Sequence, residues 1–171
     1  MKRSFQFLLM AVLTAAFTSA DLQLKQQTFL QMVDAKGQLI QGSSVQRGYE
    51  RLIIATSFSG VTTGNAQVSY TMPSGGASAV LATMQGSKQK LPYAVFTITE
   101  PGEARLNVLS TVRLESVSII RVEDVNGSTN VTLQAARIGT TYFQQNLKTG
   151  IRTISGKTGF DYTTGQTWNS F

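Results

Sequence analysis

The chain has 171 residues, with 15 Lys and Arg against 9 Asp and Glu, and it contains neither His nor Cys. Those counts exclude Ser-His-Asp and Cys-His catalytic units, imidazole or thiolate metal ligands, disulfides and iron–sulfur clusters. Charged residues are 14% of the chain, against about 25% for an average domain, and Thr, Ser and Gln (21, 16 and 15 residues) supply the polar surface instead. Hydrophobic residues at 42% suffice for one packed domain, because a chain of this size buries about 70% of its unfolded surface.

The first residues read as a leader. Lys2 and Arg3 give a basic start, Phe7 to Phe17 is an apolar run, and Thr18-Ser19-Ala20 offers small residues for cleavage before Asp21. The run is shorter than the ~20 apolar residues a membrane span needs. Residues 1–20 are therefore assigned as a signal peptide and 21–171 as a single domain, secreted or periplasmic, with no stable membrane insertion after cleavage. Losing Lys2 and Arg3 lowers the net charge from +6 to +4. That modest surplus, with no basic run, does not imply nucleic acid.

Thr28 to Val33 reads as a strand ended by the turn Asp34-Ala35-Lys36-Gly37. Gln41 to Ser44 is loop, and Tyr49 to Phe58 reads as a second strand with Leu52-Ile53-Ile54 at its centre. Gly60 to Gly64 turns the chain, and Ala66 to Met72 alternates as a short strand until Pro73-Ser74-Gly75-Gly76 breaks it. Ala77 to Gln85 predicts the one helix of the domain, closed by Gly86, with Val80, Leu81 and Met84 on its apolar face.

Tyr93 to Thr99 is a strand, and Glu100-Pro101-Gly102-Glu103 turns into the longest strand-like run, Ala104 to Glu123. Its apolar residues occupy even positions through Leu114, odd positions at Val117 and Ile119, and even ones again at Ile120 and Val122. Twenty residues would span roughly 65 Å, and a phase change inside such a run implies a bulge or bend. Asn126-Gly127 predicts a hairpin turn. The returning run, Asn130 to Phe143, changes phase as well, from Val131, Leu133 and Ala135 to Ile138 and Tyr142. One shared bend explains both. Turns at Thr149-Gly150 and Ser155-Gly156 lead to a last strand near Gly159 to Tyr162 and to Trp168, read as either core or interface. The fold class expected is mainly β, a small barrel or two-sheet sandwich with one short α-helix on its side.

Four patches carry a family resemblance: Phe29 to Gly37; Leu52 to Gly60; Ser78 to Lys88; and Arg121 to Tyr142 with the later Gly159-Phe160-Asp161. Within the last, Val131, Leu133, Arg137, Ile138 and Tyr142 stand at the motif positions. Their order over roughly residues 28–168 resembles the haemolysin-coregulated proteins, tube-forming subunits of bacterial type VI secretion systems. The resemblance implies a two-sheet barrel with a helix on one side, six-membered rings that can stack, and no catalytic site in the core domain. It implies other copies of the chain as partners, together with secreted effectors or other proteins of the apparatus. The leader is a departure, since members of that family typically carry none.

Glu123 to Ser128 lacks the spacing of a calcium loop and reads as a plain turn. Glu100 and Glu103 flank an exposed turn and lack the pocket that acid–base work requires. Gly75-Gly76 precedes a helix without the Lys-Ser/Thr of a phosphate loop. The sequons at Asn126 and Asn130 matter only in a eukaryotic secretory pathway. No catalytic, cofactor or metal residue is assigned. Arg113, Glu115, Arg121 and Glu123 alternate in sign along the long hairpin and are the candidate subunit interface, with a solvated face as the plainer reading. The hairpin itself, with few edge charges for its length, is expected to pair with a neighbouring copy. Two functions follow: a ring-forming structural subunit, or a secreted monomeric β-domain that acts as a binding module.

Overall fold

The computed structural model describes residues 25–59, 66–102, 105–146, 149 and 151–171. The leader, the Gly60–Gly64 turn, Glu103, Ala104 and Gly150 lie outside the described residues. Among the described residues ten strands and one helix follow in the order β1 (Gln27–Met32), β2 (Ile53–Ala55), β3 (Ser57–Ser59), β4 (Gln67–Pro73), α1 (Gly76–Gly86), β5 (Lys90–Pro101), β6 (Leu106–Val125), β7 (Ser128–Gln134), β8 (Arg137–Gln145), β9 (Arg152–Asp161) and β10 (Gln166–Thr167). Every strand pair is antiparallel.

The pairing closes on itself. One path runs β6–β5–β1–β2, and another runs β6–β7–β4–β3. Only Thr56 separates β2 from β3, and its N–H donates to the Thr71 carbonyl of β4 at 2.8 Å. The result is a small closed barrel, the first of the two expected forms. Period-2 alternation on each strand fills its interior: Leu30 and Met32, Val68, Tyr70 and Met72, Ala94 and Phe96, Val112 and Leu114, Val131 and Leu133 are all buried. Phe96 packs against Tyr70 edge-on at 5.4 Å and against Phe58 at 4.5 Å. The Tyr70 hydroxyl donates to the Met32 sulfur at 3.7 Å, and burial pushes its phenol far above the ordinary range.

β6 is the spine, and at 20 residues it has the length its apolar run implies. The expected bend is real. Ser116 takes φ +52°, and the β6–β7 register shifts between Ile119 and Arg121. The partner strand breaks at the same level, at Ala135-Ala136, where the Ala136 N–H donates to the Glu115 carbonyl at 3.0 Å. Below the bend, residues Ser110 to Glu115 pair with β8; above it, Ser118 to Val125 pair with β7. Asn126 and Gly127 both adopt positive φ, +50° and +79°, as a two-residue type I′ hairpin demands. β7 stays in the barrel wall, while β8 leaves it and pairs outward with β9, which β10 extends.

Three expectations are corrected. Tyr49 to Leu52 is not strand: Arg51 sits at φ +63°, and Tyr49 and Leu52 close turn hydrogen bonds with Gln46 and Tyr49 carbonyls at 2.9 and 3.2 Å. Tyr49 stacks instead on Phe29, at 4.3 Å. The helix forms as expected, but its buried face is Ser78, Leu81 and Met84, and Val80 points to solvent. Ser78 wins that position because its hydroxyl closes the first turn, accepting from the Gly75 N–H at 2.9 Å and donating to the Gly75 carbonyl at 2.7 Å. Finally, most of the long hairpin is paired within the chain: β5 lines β6 from Leu106 to Ser118, β7 also pairs with β4, and β8 with β9. The free edge expected along the whole hairpin is narrower, since above Ser118 the residues Ile119 to Val125 of β6 pair with β7 alone.

Candidate assembly surface

The four charged residues of the hairpin point outward in two groups, one on each side of the bend. Below it, Glu115 of β6 is shared by two guanidinium groups. Arg113 Nε reaches its Oε1 at 3.0 Å, and Arg137 of β8 reaches its Oε2 at 3.1 Å. Arg113 lies over the Tyr93 ring at 5.2 Å and Arg137 over the Trp168 ring at 5.3 Å. The register explains the cluster, because Glu115 is the direct cross-strand neighbour of both Tyr93 and Arg137. Above the bend, Arg121 and Glu123 pair at 2.5 Å, at 65% and 44% side-chain exposure. The lower group therefore ties three strands of one chain together, whereas the upper pair stays open to solvent.

Beside Arg121 and Glu123 lies a hydroxyl ladder across β3, β4 and β7. Ser57 donates to Thr71 and Thr71 to Asn130, each at 2.8 Å, and Ser69 meets Thr132 at 3.1 Å. At the hairpin tip, the Asp124 carboxylate accepts hydroxyl hydrogen bonds from Thr129 and from Ser74, the latter at 3.0 Å. These bonds, Thr129 foremost, hold its carboxyl below the usual carboxylate range. They also fasten the tip to the segment that enters α1.

One open edge belongs to β9. It pairs with β8 along its length, but β10 covers only Phe160 and Asp161. Ile151, Ile154, Phe160 and Tyr142 are exposed apolar residues on and around it. Apolar residues on an incompletely paired strand are what proteins normally avoid. The sequence reading caught only the end of this strand, near Gly159 to Tyr162; the turn expected at Ser155-Gly156 is instead strand, because Gly156 and Gly159 sit inside a run with no regular apolar alternation.

The far end of β8–β9 is finished by the chain's last residues. Gly139 and Gly159 are cross-strand neighbours, and a Cβ on either would stand 2.6 Å from the Phe171 ring. Phe171 occupies that bare slot, tilted against Trp168 at 4.7 Å. Lys157 clamps it, its Nζ 5.0 Å from the ring and donating to the Phe171 carbonyl at 2.5 Å. Trp168 is 6% exposed, which settles its role as a packed residue. Asp161 caps the following turn through Thr163, whose hydroxyl is the main reason its carboxyl is held low.

No family model and no curated protein matches the sequence. Solved structures do. Hcp1 of Salmonella typhimurium superposes with a TM-score of 0.65 at 15% identity, covering 84% of this chain and 99% of that one. The chain has the Hcp fold. The Hcp1 protein of E. coli EAEC 042, in a double-mutant form, gives 0.64 at 19% identity over 80% and 98% of the two chains. The secreted protein Hcp3 of Pseudomonas aeruginosa gives 0.63 at 16% over 81% and 99%. Nearly all of each Hcp chain has its counterpart in this fold.

Proposed function

We propose that this chain is a non-catalytic structural subunit of a type VI secretion apparatus, and that its domain, residues 21–171, assembles head-to-tail into rings. Six copies per ring, stacking and effector cargo are the finer parts of this reading. The observation that carries it is the near-complete coverage of Hcp chains by this fold. The open edge of β9 with its exposed apolar residues supports it. A heterologous ring contact needs two different complementary surfaces. In this reading β9 provides one, and the hydroxyl ladder with Arg121 and Glu123 provides the other.

The test is a seam variant. Ile154→Lys places a charge on the open edge without touching the barrel core and is expected to shift assembled material toward monomer in size-exclusion chromatography. Arg121→Glu is expected to weaken assembly from the other surface. Assembly that survives both changes at wild-type strength would remove β9 and the upper charge pair from the seam. The leader-like residues 1–20 favour a second reading, a secreted monomeric β-domain that acts as a binding module. A strictly monomeric domain at high micromolar concentration would select it.

A further inference from the structure

Three arginines from distant parts of the chain line one cleft of about 470 Å³. Arg47 comes from the loop ahead of β2, Arg105 from the residue before β6, and Arg152 opens β9. Tyr49, Asn107 and Gln145 complete the polar lining. Tyr49 is held by its stack on Phe29, and the Arg152 guanidinium lies 4.5 Å over the Phe143 ring. Both walls are thereby positioned without neutralising a charge.

Among the described residues, no acid forms an ion pair with the cleft arginines; the salt bridges hold Arg113, Arg121 and Arg137. Glu115 and Glu123 are committed to those bridges, Asp124 to Thr129 and Ser74, and Asp161 to the turn at Thr163. Asp34 accepts the Lys36 and Gln38 N–H groups of its own turn. Glu50 accepts the Gly48 N–H at 2.9 Å, and its carboxyl is held low by backbone hydrogen bonds first and by the Arg47 charge to a lesser extent. Glu100, the cross-strand neighbour of Asn107, bridges none of the three. Three guanidinium groups gathered in one concavity, none of them ion-paired among the described residues, favour anionic groups from outside the chain. Guanidinium forks match carboxylates bidentately. All three arginines stand exposed along an open cleft, which suits carboxylates spaced along a peptide better than one compact anion.

We propose that this cleft binds an acidic segment of another protein, with Asp and Glu carboxylates seated on Arg47, Arg105 and Arg152. All of its lining residues come from one chain, with Arg152 shared with the β9 edge proposed above as a seam. The test is fluorescence anisotropy of residues 21–171 with a fluorescein-labelled octapeptide of alternating Glu and Gly at low salt. Arg47→Gln/Arg105→Gln/Arg152→Gln is expected to weaken binding about tenfold or more. The control Lys36→Gln/Lys88→Gln/Lys90→Gln, with the same loss of charge, is expected to stay within about twofold of the parent. Circular dichroism confirms that each variant is folded. Absence of binding by the parent, or equal weakening by both triple variants, would overturn the site. Tighter binding of inorganic pyrophosphate than of the peptide would overturn the acidic-segment assignment.

Discussion

Leu81→Ala tests how the helix is seated. Leu81 is fully buried on the inner face of α1, next to Met84. The substitution removes three carbon groups, at about 0.8 kcal/mol each, so the lost transfer energy is about 2.4 kcal/mol. Incomplete collapse of the space left behind adds to this, for a total of about 3–4 kcal/mol. In a domain of this size each kcal/mol lowers the Tm by about 2–4 °C, so the Tm falls by about 10 °C. The companion change Val80→Ala, one residue earlier and 44% exposed, should cost under about 1 kcal/mol. Urea denaturation of both variants of residues 21–171 supplies the comparison, with the slope checked for constancy. A Val80→Ala loss equal to or greater than that of Leu81→Ala would refute the seating and restore the face read from apolar spacing alone.

Gly139→Ala should push a methyl group into the Phe171 ring, release the Trp168–Phe171 pair and shift the emission of the only tryptophan to the red; an unchanged spectrum would mean the aromatic plug does not depend on the bare glycine slot. Asp124 and Asp161 both have carboxyls held below their ordinary values, so their contribution is complete above the unfolded value near pH ~4 and is lost as pH falls through the folded values. Asp124→Asn should therefore flatten the fall in Tm between about pH 5 and about pH 2, and an acid limb as steep as the parent's would show that the hydroxyl bonds do not couple to stability. N-terminal sequencing of exported protein should begin at Asp21; intact Met1 outside the cytoplasm would contradict cleavage.

The barrel was largely legible because its strands alternate, and because Asn126-Gly127 leaves little choice of turn. The shared bend was legible too: two runs that change phase together must bend together, and Ser116 with the Ala135-Ala136 break is where they do. Helix spacing was a weaker guide. Val80 and Leu81 are adjacent on an Ala-rich helix, so only packing on β6 decides which is inside, and a serine that caps its own turn took the third buried position. Tyr49 failed as a strand residue because a ring stack on Phe29, a tertiary contact, outweighed local alternation. Strand edges were legible only in part. Whether a run is central or peripheral depends on which strands return to it, so the hairpin read as open along its length is open only above Ser118 of β6, and the sparse, glycine-bearing β9 is open as well. The charged residues were found by their alternation, but their division into a three-strand cluster and an exposed pair follows from where β8 crosses β6. Arg47, Arg105 and Arg152 are far apart in sequence and carry no shared motif, so only the fold brings them together.

The central claim is that the domain assembles, and its mass in solution tests that most directly. Sedimentation velocity on residues 21–171 across micromolar concentrations should show a discrete species several times the monomer mass, sixfold in the full reading, or a series of its multiples. A single boundary at monomer mass up to high micromolar concentration would contradict it.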